Sequence, residues 1–121
     1  MYKRIKRYAK LKLKGNNMIN INFEFRKGIF FIRLIGELNK ETSQTAIDEI
    51  NTLIANNKFT YVVINTNYLN IIDLTGINYL TKICYLAKEQ KSNLVICDKT
   101  NIIKTLLNNN VPNIKDELEV L

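Results

Sequence analysis

Tyr61-Val62-Val63-Ile64 decides the architecture. These are consecutive β-formers with no alternation of polar and apolar character. They read as a short strand covered on both faces, as in the centre of a sheet with helices packed on it. On the N-terminal side, Ala46, Ile47, Ile50, Leu53 and Ile54 recur at helical spacing behind the cap candidates Thr42 and Ser43. The spacing predicts an amphipathic helix ending near Asn56-Asn57. On the C-terminal side, Ile77, Leu80, Cys84 and Ala87 repeat that spacing, Ile83 and Leu86 widen the stripe, and Thr75 stands at its start. Leu94 to Cys97 follows as a further buried strand. Strands separated by helices are joined by crossovers and must run parallel.

Further out, Ile19, Ile21, Phe23 and Phe25 alternate with Asn20, Asn22, Glu24 and Arg26, the period of a half-buried strand. Lys27-Gly28 turns the chain into Ile29 to Ile35, an apolar run broken only by Arg33, which pairs antiparallel with the first strand; Gly36 ends it. At the other end Thr100 can cap a third helix carrying Ile103, Leu106 and Leu107, stopped by Asn108 to Asn110 and Pro112. The tail, Asp116 to Leu121, alternates acidic with apolar residues and is too short to assign. The expected fold is a single α/β domain, a four- to five-stranded mixed sheet with helices packed on it, in the order β-β-α-β-α-β-α.

Composition narrows the chemistry. The 121 residues suit one domain, and 46% hydrophobic content fills one core. With no histidine there is no Ser-His-Asp or Cys-His nucleophile pair and no histidine metal ligand. Cys84 and Cys97 lie in apolar stretches, are not spaced as a redox pair and read as core thiols. No apolar run approaches the roughly 18 residues of a membrane span, and the basic N-terminus lacks the pattern of a secretory signal, so a cytoplasmic protein is expected.

The net charge of +7 is not spread over the chain. Residues 1–17 hold Lys3, Arg4, Lys6, Arg7, Lys10, Lys12 and Lys14 without an acid, whereas residues 18–121 hold 11 basic and 11 acidic side chains. The boundary divides a basic N-terminal extension, 1–17, from a neutral body, 18–121. Three readings of the extension stand open: a weak contact for RNA or anionic lipid, a disordered solvated segment, or a segment that is not normally translated, with Met18 opening the body.

The loop Ile71-Ile72-Asp73-Leu74-Thr75-Gly76 follows a parallel strand, where functional loops of open α/β sheets collect. It puts an acid and a hydroxyl at a helix mouth, where free N–H groups and the helix dipole favour negative charge. Thr75 can serve there as a helix cap, worth about 1 kcal/mol. It can also take a phosphate, which adds roughly −1.5 to −2 charges beside Asp73. A receiver domain needs several acids to hold Mg²⁺, and Asp73 stands almost alone; a nucleotide-binding loop needs clustered glycines, and the four glycines here are far apart.

These residues resemble the STAS domain of bacterial anti-sigma factor antagonists. The resemblance runs over about residues 18–115 in element order, with Gly36-Glu37-Leu38-Asn39 before the first helix and Asp73-Leu74-Thr75-Gly76 at the second. In that family the first segment is Gly-Glu-Leu-Asp, and the second, Asp-Ser-Ser-Gly, has its second serine phosphorylated by a partner kinase using Mg-ATP. By position the acceptor here is Thr75, between its motif neighbours Asp73 and Gly76; Leu74 replaces the first serine and Asn39 the aspartate. The resemblance implies a non-enzymatic protein with no cofactor of its own. It implies docking on an anti-sigma factor/serine-threonine kinase through Gly36, Glu37, Leu38, Asn39, Asp73, Leu74 and Gly76, with Asn78 and Tyr79 as added contacts. Phosphorylation at Thr75 would end docking and a phosphatase would restore it, so that a sigma factor's transcription is regulated without direct DNA binding. The alternative is a constitutive STAS subunit of a stressosome-like scaffold or of a lipid or anion transporter.

Overall fold

The computed structural model describes residues 5–12, 18–107 and 111–121. Its elements are β1 (Ile5–Lys12), β2 (Met18–Arg26), β3 (Ile29–Leu38), α1 (Ser43–Asn56), β4 (Tyr61–Ile72), α2 (Leu74–Glu89), β5 (Asn93–Cys97), α3 (Ile102–Leu106) and β6 (Asn113–Ile114), followed by a 3₁₀ turn at Glu117–Glu119. The strands lie side by side in chain order. Pairing is antiparallel from β1 to β3 and parallel from β3 to β6. The body is therefore the expected α/β domain, a five-stranded mixed sheet of β2 to β6, with β1 added at the edge of β2.

Strand parity divides the apolar residues between two faces. Phe30, Ile32 and Leu34 of β3 join Ile21 and Phe23 of β2, Val62 and Ile64 of β4 and Ile96 of β5 in one core. Ile47, Ile50 and Ile54 of α1, Ile77, Leu80 and Ile83 of α2, and Ile103 of α3 close over it. Phe30 stacks on Phe23 at 5.9 Å and on Phe59 at 4.1 Å, so the α1–β4 connection is tied to the centre of the sheet. Phe31, Val63 and Cys97 face the other way and form a smaller cluster with Ile29, Val95, Ile114 and Val120. The unalternating Tyr61–Ile64 run is thus covered on both faces, but all the helices feed one core; the second face is closed by the C-terminal segment.

Three segments differ from the sequence reading. Ile5–Lys12, inside the basic extension to which the sequence reading assigns no strand, pairs with β2 in unbroken register from Ile5↔Phe25 to Lys12↔Met18. Its own alternation is weak, and the partner is supplied by the otherwise open edge of β2. Residues 1–4 and 13–17, the rest of that extension, lie outside the described residues, as do Asn108 to Asn110. β4 continues to Ile72 because Ile35–Leu38 keeps pairing with Tyr68–Ile72 across two register shifts, one between Arg33 and Ile35 and one between Gly36 and Glu37, where Gly36 takes φ 112°. Asn113–Ile114 forms β6, and the tail after it forms the 3₁₀ turn, whose box joins Asp116 and Glu119.

The β2–β3 turn is a two-residue one, with Arg26 opposite Ile29 and with φ 53° at Lys27 and 79° at Gly28. A lysine at positive φ is strained, whereas Asn-Gly favours this geometry. Lys27→Asn is expected to raise stability by up to roughly 1 kcal/mol in urea unfolding. Burial pushes the Cys84 and Cys97 thiols from the ordinary 9.0 up to about 11, and at Cys97 the Glu117, Asp116 and Glu119 carboxylates add to it. A thiol that ionises less readily folded than unfolded costs stability as pH rises from about 9 towards 11. A Cys84→Ala, Cys97→Ala variant should lose stability less steeply over that range, and equal slopes would refute this origin.

Candidate functional site

The site is built where the ends of β3 and β4 meet the first turn of α2. Asp73 is the N-cap: its Oδ1 accepts from Gly76 N–H at 2.9 Å, and its Oδ2 accepts from Lys40 N–H at 3.0 Å. One carboxylate thereby satisfies a helix-start amide and ties the β3–α1 loop to α2. The capping role that sequence allowed Thr75 belongs instead to Asp73. Thr75 is the second helical residue, half-buried, and its hydroxyl makes no hydrogen bond with another described residue.

Gly76 explains how closely the two segments approach. A Cβ there would stand 2.4 Å from the Leu38 carbonyl oxygen and 3.0 Å from Ile72 Cγ1. The same carbonyl accepts from Asp73 N–H at 3.3 Å. Any side chain would push the helix start off the end of β3.

The Gly36 to Asn39 segment supports this joint from below. Leu38 is fully buried in the core. Asn39 is buried too: its Oδ1 accepts from Glu41 N–H at 3.0 Å and Thr42 N–H at 3.2 Å, while its own N–H donates to Thr42 Oγ1 at 2.9 Å. Thr42 Oγ1 in turn donates to the Glu37 carbonyl at 2.8 Å. Thr42 occupies the N-cap position of α1 without capping it by side chain, and the Ser43 hydroxyl is buried with no partner among the described residues; the polar closure of the loop falls to Asn39 and Thr42. Only the oxygen of Asn39 is used in these bonds, so asparagine serves here as aspartate would.

Of the remaining sequence candidates, Leu74 and Asn78 are exposed, Leu74 to 75%, and Ile71 beside them is 48% exposed. Tyr79 is half-buried; its hydroxyl donates to Gln44 Oε1 of α1, and Lys82 Nζ lies 4.5 Å from its ring centre. Tyr79 therefore fastens α2 to α1. The structure brings Asp73, Leu74, Thr75, Gly76 and Asn78 to one helix mouth, with Gly36 and Glu37 half-buried on the neighbouring end of β3 and Leu38, Asn39 and Gly76 spent on packing and loop closure. Sequence reasoning missed Lys40 and Gln44, and it read Thr42 only as a helix cap. The Asn39-x-x-Thr42 spacing was a usable signal; the backbone role of Lys40 and the reach of Gln44 to Tyr79 had none.

A second polar cluster lies on the opposite face of the sheet. Arg33 donates to Glu24 Oε1 at 2.8 Å, to Asn22 Oδ1 at 2.6 Å and to both oxygens of Glu117. The Glu117 hydrogen bonds above all hold this guanidinium charged. No helix among the described residues is long and apolar enough to cross a membrane.

Residues 20–111 match the family model of the STAS domain. Among solved structures, the chain is similar to the anti-sigma factor antagonist SpoIIAA in its unphosphorylated form, at 16% identity over 83% of this chain and 92% of that one, with a TM-score of 0.68. An anti-sigma factor antagonist from Mycobacterium paratuberculosis is similar at 19% identity over 84% and 89% of the two chains, also with a TM-score of 0.68. An uncharacterised protein with a SpoIIAA-like fold from Shewanella loihica is similar at 9% identity over 98% and 91%, with a TM-score of 0.51.

Because backbone rather than a flexible side chain opposes it, Gly76→Ala is expected to destabilise the chain by about 1–3 kcal/mol, read as a fall in the urea midpoint at unchanged slope. Asp73→Ala should cost about 0.5–2 kcal/mol by the same measurement, through the lost cap.

Proposed function

The chain belongs to the STAS domain family, and we propose that it acts as an anti-sigma factor antagonist switched by phosphorylation at Thr75. The observation that carries this reading is the division of labour at the start of α2. Asp73 caps the helix, leaving the Thr75 hydroxyl outside the hydrogen bonding of the described fold, beside the exposed Leu74. A group with no structural task among these residues can be modified without unfolding the domain.

The mechanism follows from charge. In the unmodified form, Leu74 and Ile71 offer apolar surface and Asn78 a polar contact to the partner, an anti-sigma factor that is also a serine-threonine kinase. Asp73 and Gly76 hold the loop's shape, and the Gly36 to Asn39 segment sets its height above the sheet. A phosphate on Thr75 brings roughly −1.5 to −2 charges next to the Asp73 carboxylate. Docking would then bury or juxtapose two anions, and the partner is released. A phosphatase returns the domain to its binding form. The domain performs no catalysis; the ATP belongs to the kinase. Leu74, apolar where switching relatives carry a serine, favours as second reading a constitutive STAS subunit of a scaffold or transporter.

The deciding experiment captures partners from native lysate with wild type and Thr75→Glu, identifies them by mass spectrometry and measures affinity for the captured partner. The proposal expects a small ATP-binding anti-sigma kinase on the wild type, bound at least about tenfold more weakly by Thr75→Glu, with unchanged circular dichroism. Equal affinity for both would defeat the switch; the same scaffold or transporter subunits on both would establish the second reading.

A further inference from the structure

We propose that Asp116–Leu121 is a strap over the helix-free face of the sheet, latched by the Arg33–Glu117 ion pair, which opens as a unit and uncovers Cys97. This device lies on the opposite face from Thr75 and does not depend on the partner-switching reading.

The strap is held together by its own bonds. Asp116 Oδ1 accepts from Leu118 N–H at 2.9 Å, and Glu119 Oε2 accepts from Lys115 N–H at 2.6 Å and Asp116 N–H at 2.9 Å. Its attachments to the body are few and of two kinds. Glu117 receives Arg33 Nε at 2.9 Å, Arg33 Nη2 at 2.7 Å and Asn65 Nδ2 at 2.6 Å. Val120 packs, only partly buried, on the Phe31, Val63 and Cys97 cluster. Asn67 adds one bond to the Lys115 carbonyl at 3.0 Å. None of the 3₁₀ residues is buried, and Leu118 is 75% exposed.

The strap is also not sealed along its edge. A half-open cavity of about 430 Å³ is lined by the strap and the sheet together, among them Arg26, Arg33, Asn65, Lys99, Glu117 and Leu118. A self-bonded segment with few anchors and a cavity along its edge opens at far lower cost than the whole domain. The forked pair is the main anchor, and because the fork is also engaged by Glu24 and Asn22, Arg33 stays in place when Glu117 leaves. The uncovered face then combines a cationic fork with an apolar floor, and Cys97, fully buried when the strap is closed and touched from the body by Asn67 Nδ2 at 3.3 Å, meets solvent.

Cys84, buried in the helix-covered core, supplies the internal reference. The 121-residue wild type, Glu117→Gln and Val120→Ala are labelled with a thiol reagent under native conditions, and each cysteine is followed by peptide mass mapping. Glu117→Gln removes the latch charge, while Val120→Ala weakens the apolar anchor and touches no charge. Both are expected to label Cys97 about tenfold faster than wild type or more, with Cys84 unchanged. If Cys97 and Cys84 accelerate together, the variants open globally and the strap does not move alone. If Cys97 accelerates only in Glu117→Gln, the effect is on thiol ionisation and the strap is no gate. Unchanged Cys97 labelling in both variants overturns the proposal outright.

Discussion

The contact on which the architecture turns is the one between Gly76 and the Leu38 carbonyl. A helix can start this close to a strand end only without a side chain in between, and a Cβ would come within 2.4 Å of backbone. From that approach follow the Asp73 bonds to Gly76 and Lys40, which join α2 to the β3–α1 loop. The Asn39–Thr42 closure beneath the loop follows as well, since it gives buried polar backbone its partners. Leu74 faces outward and the half-buried Thr75 keeps its hydroxyl out of the described hydrogen bonding because their neighbours are so fully committed inward.

The two faces of the sheet are stabilised by different physics. On one, α1, α2 and α3 remove aliphatic and aromatic side chains from water, the largest favourable contribution in a domain of this size. On the other, a small apolar cluster is joined by one arginine shared among Glu24, Asn22 and Glu117. A partly buried guanidinium must be matched by carboxylates, so Arg33, which interrupted an otherwise apolar strand in the sequence, became the organiser of that face. The α2 mouth and the C-terminal segment are therefore built on opposite faces, from separate sets of residues.

Much of this was legible in advance. The stripes of α1 and α2, the alternation of β2 and the unbroken runs of β3 and β4 follow from local periodicity, which needs no knowledge of neighbours. The crowded motif at 71–76 was legible as well, because glycine beside an acid and a hydroxyl at a helix start has few uses. What escaped were assignments decided by distance through space. Asp73 and Thr75 are both good caps by type, and the backbone angle at the end of β4 selected Asp73. β1 has weak alternation of its own, and its pairing comes from the open edge of β2. Leu38 and Asn39 read as exposed loop contacts but lie at the bottom of the joint, visible only once β4 is seen to extend to Ile72.

By itself, then, the chain's order of apolar and polar residues determined which segments are helices or strands, their parallel crossovers and the place where a modifiable hydroxyl meets a helix start, since these depend on neighbours a few residues apart. Tertiary structure alone decided that the helices share one core, that Asp73 rather than Thr75 caps α2, and that Glu117, 84 residues along the chain, neutralises Arg33. Those outcomes depend on which surfaces the sheet leaves open and which charges burial compels to pair, and no local pattern encodes either.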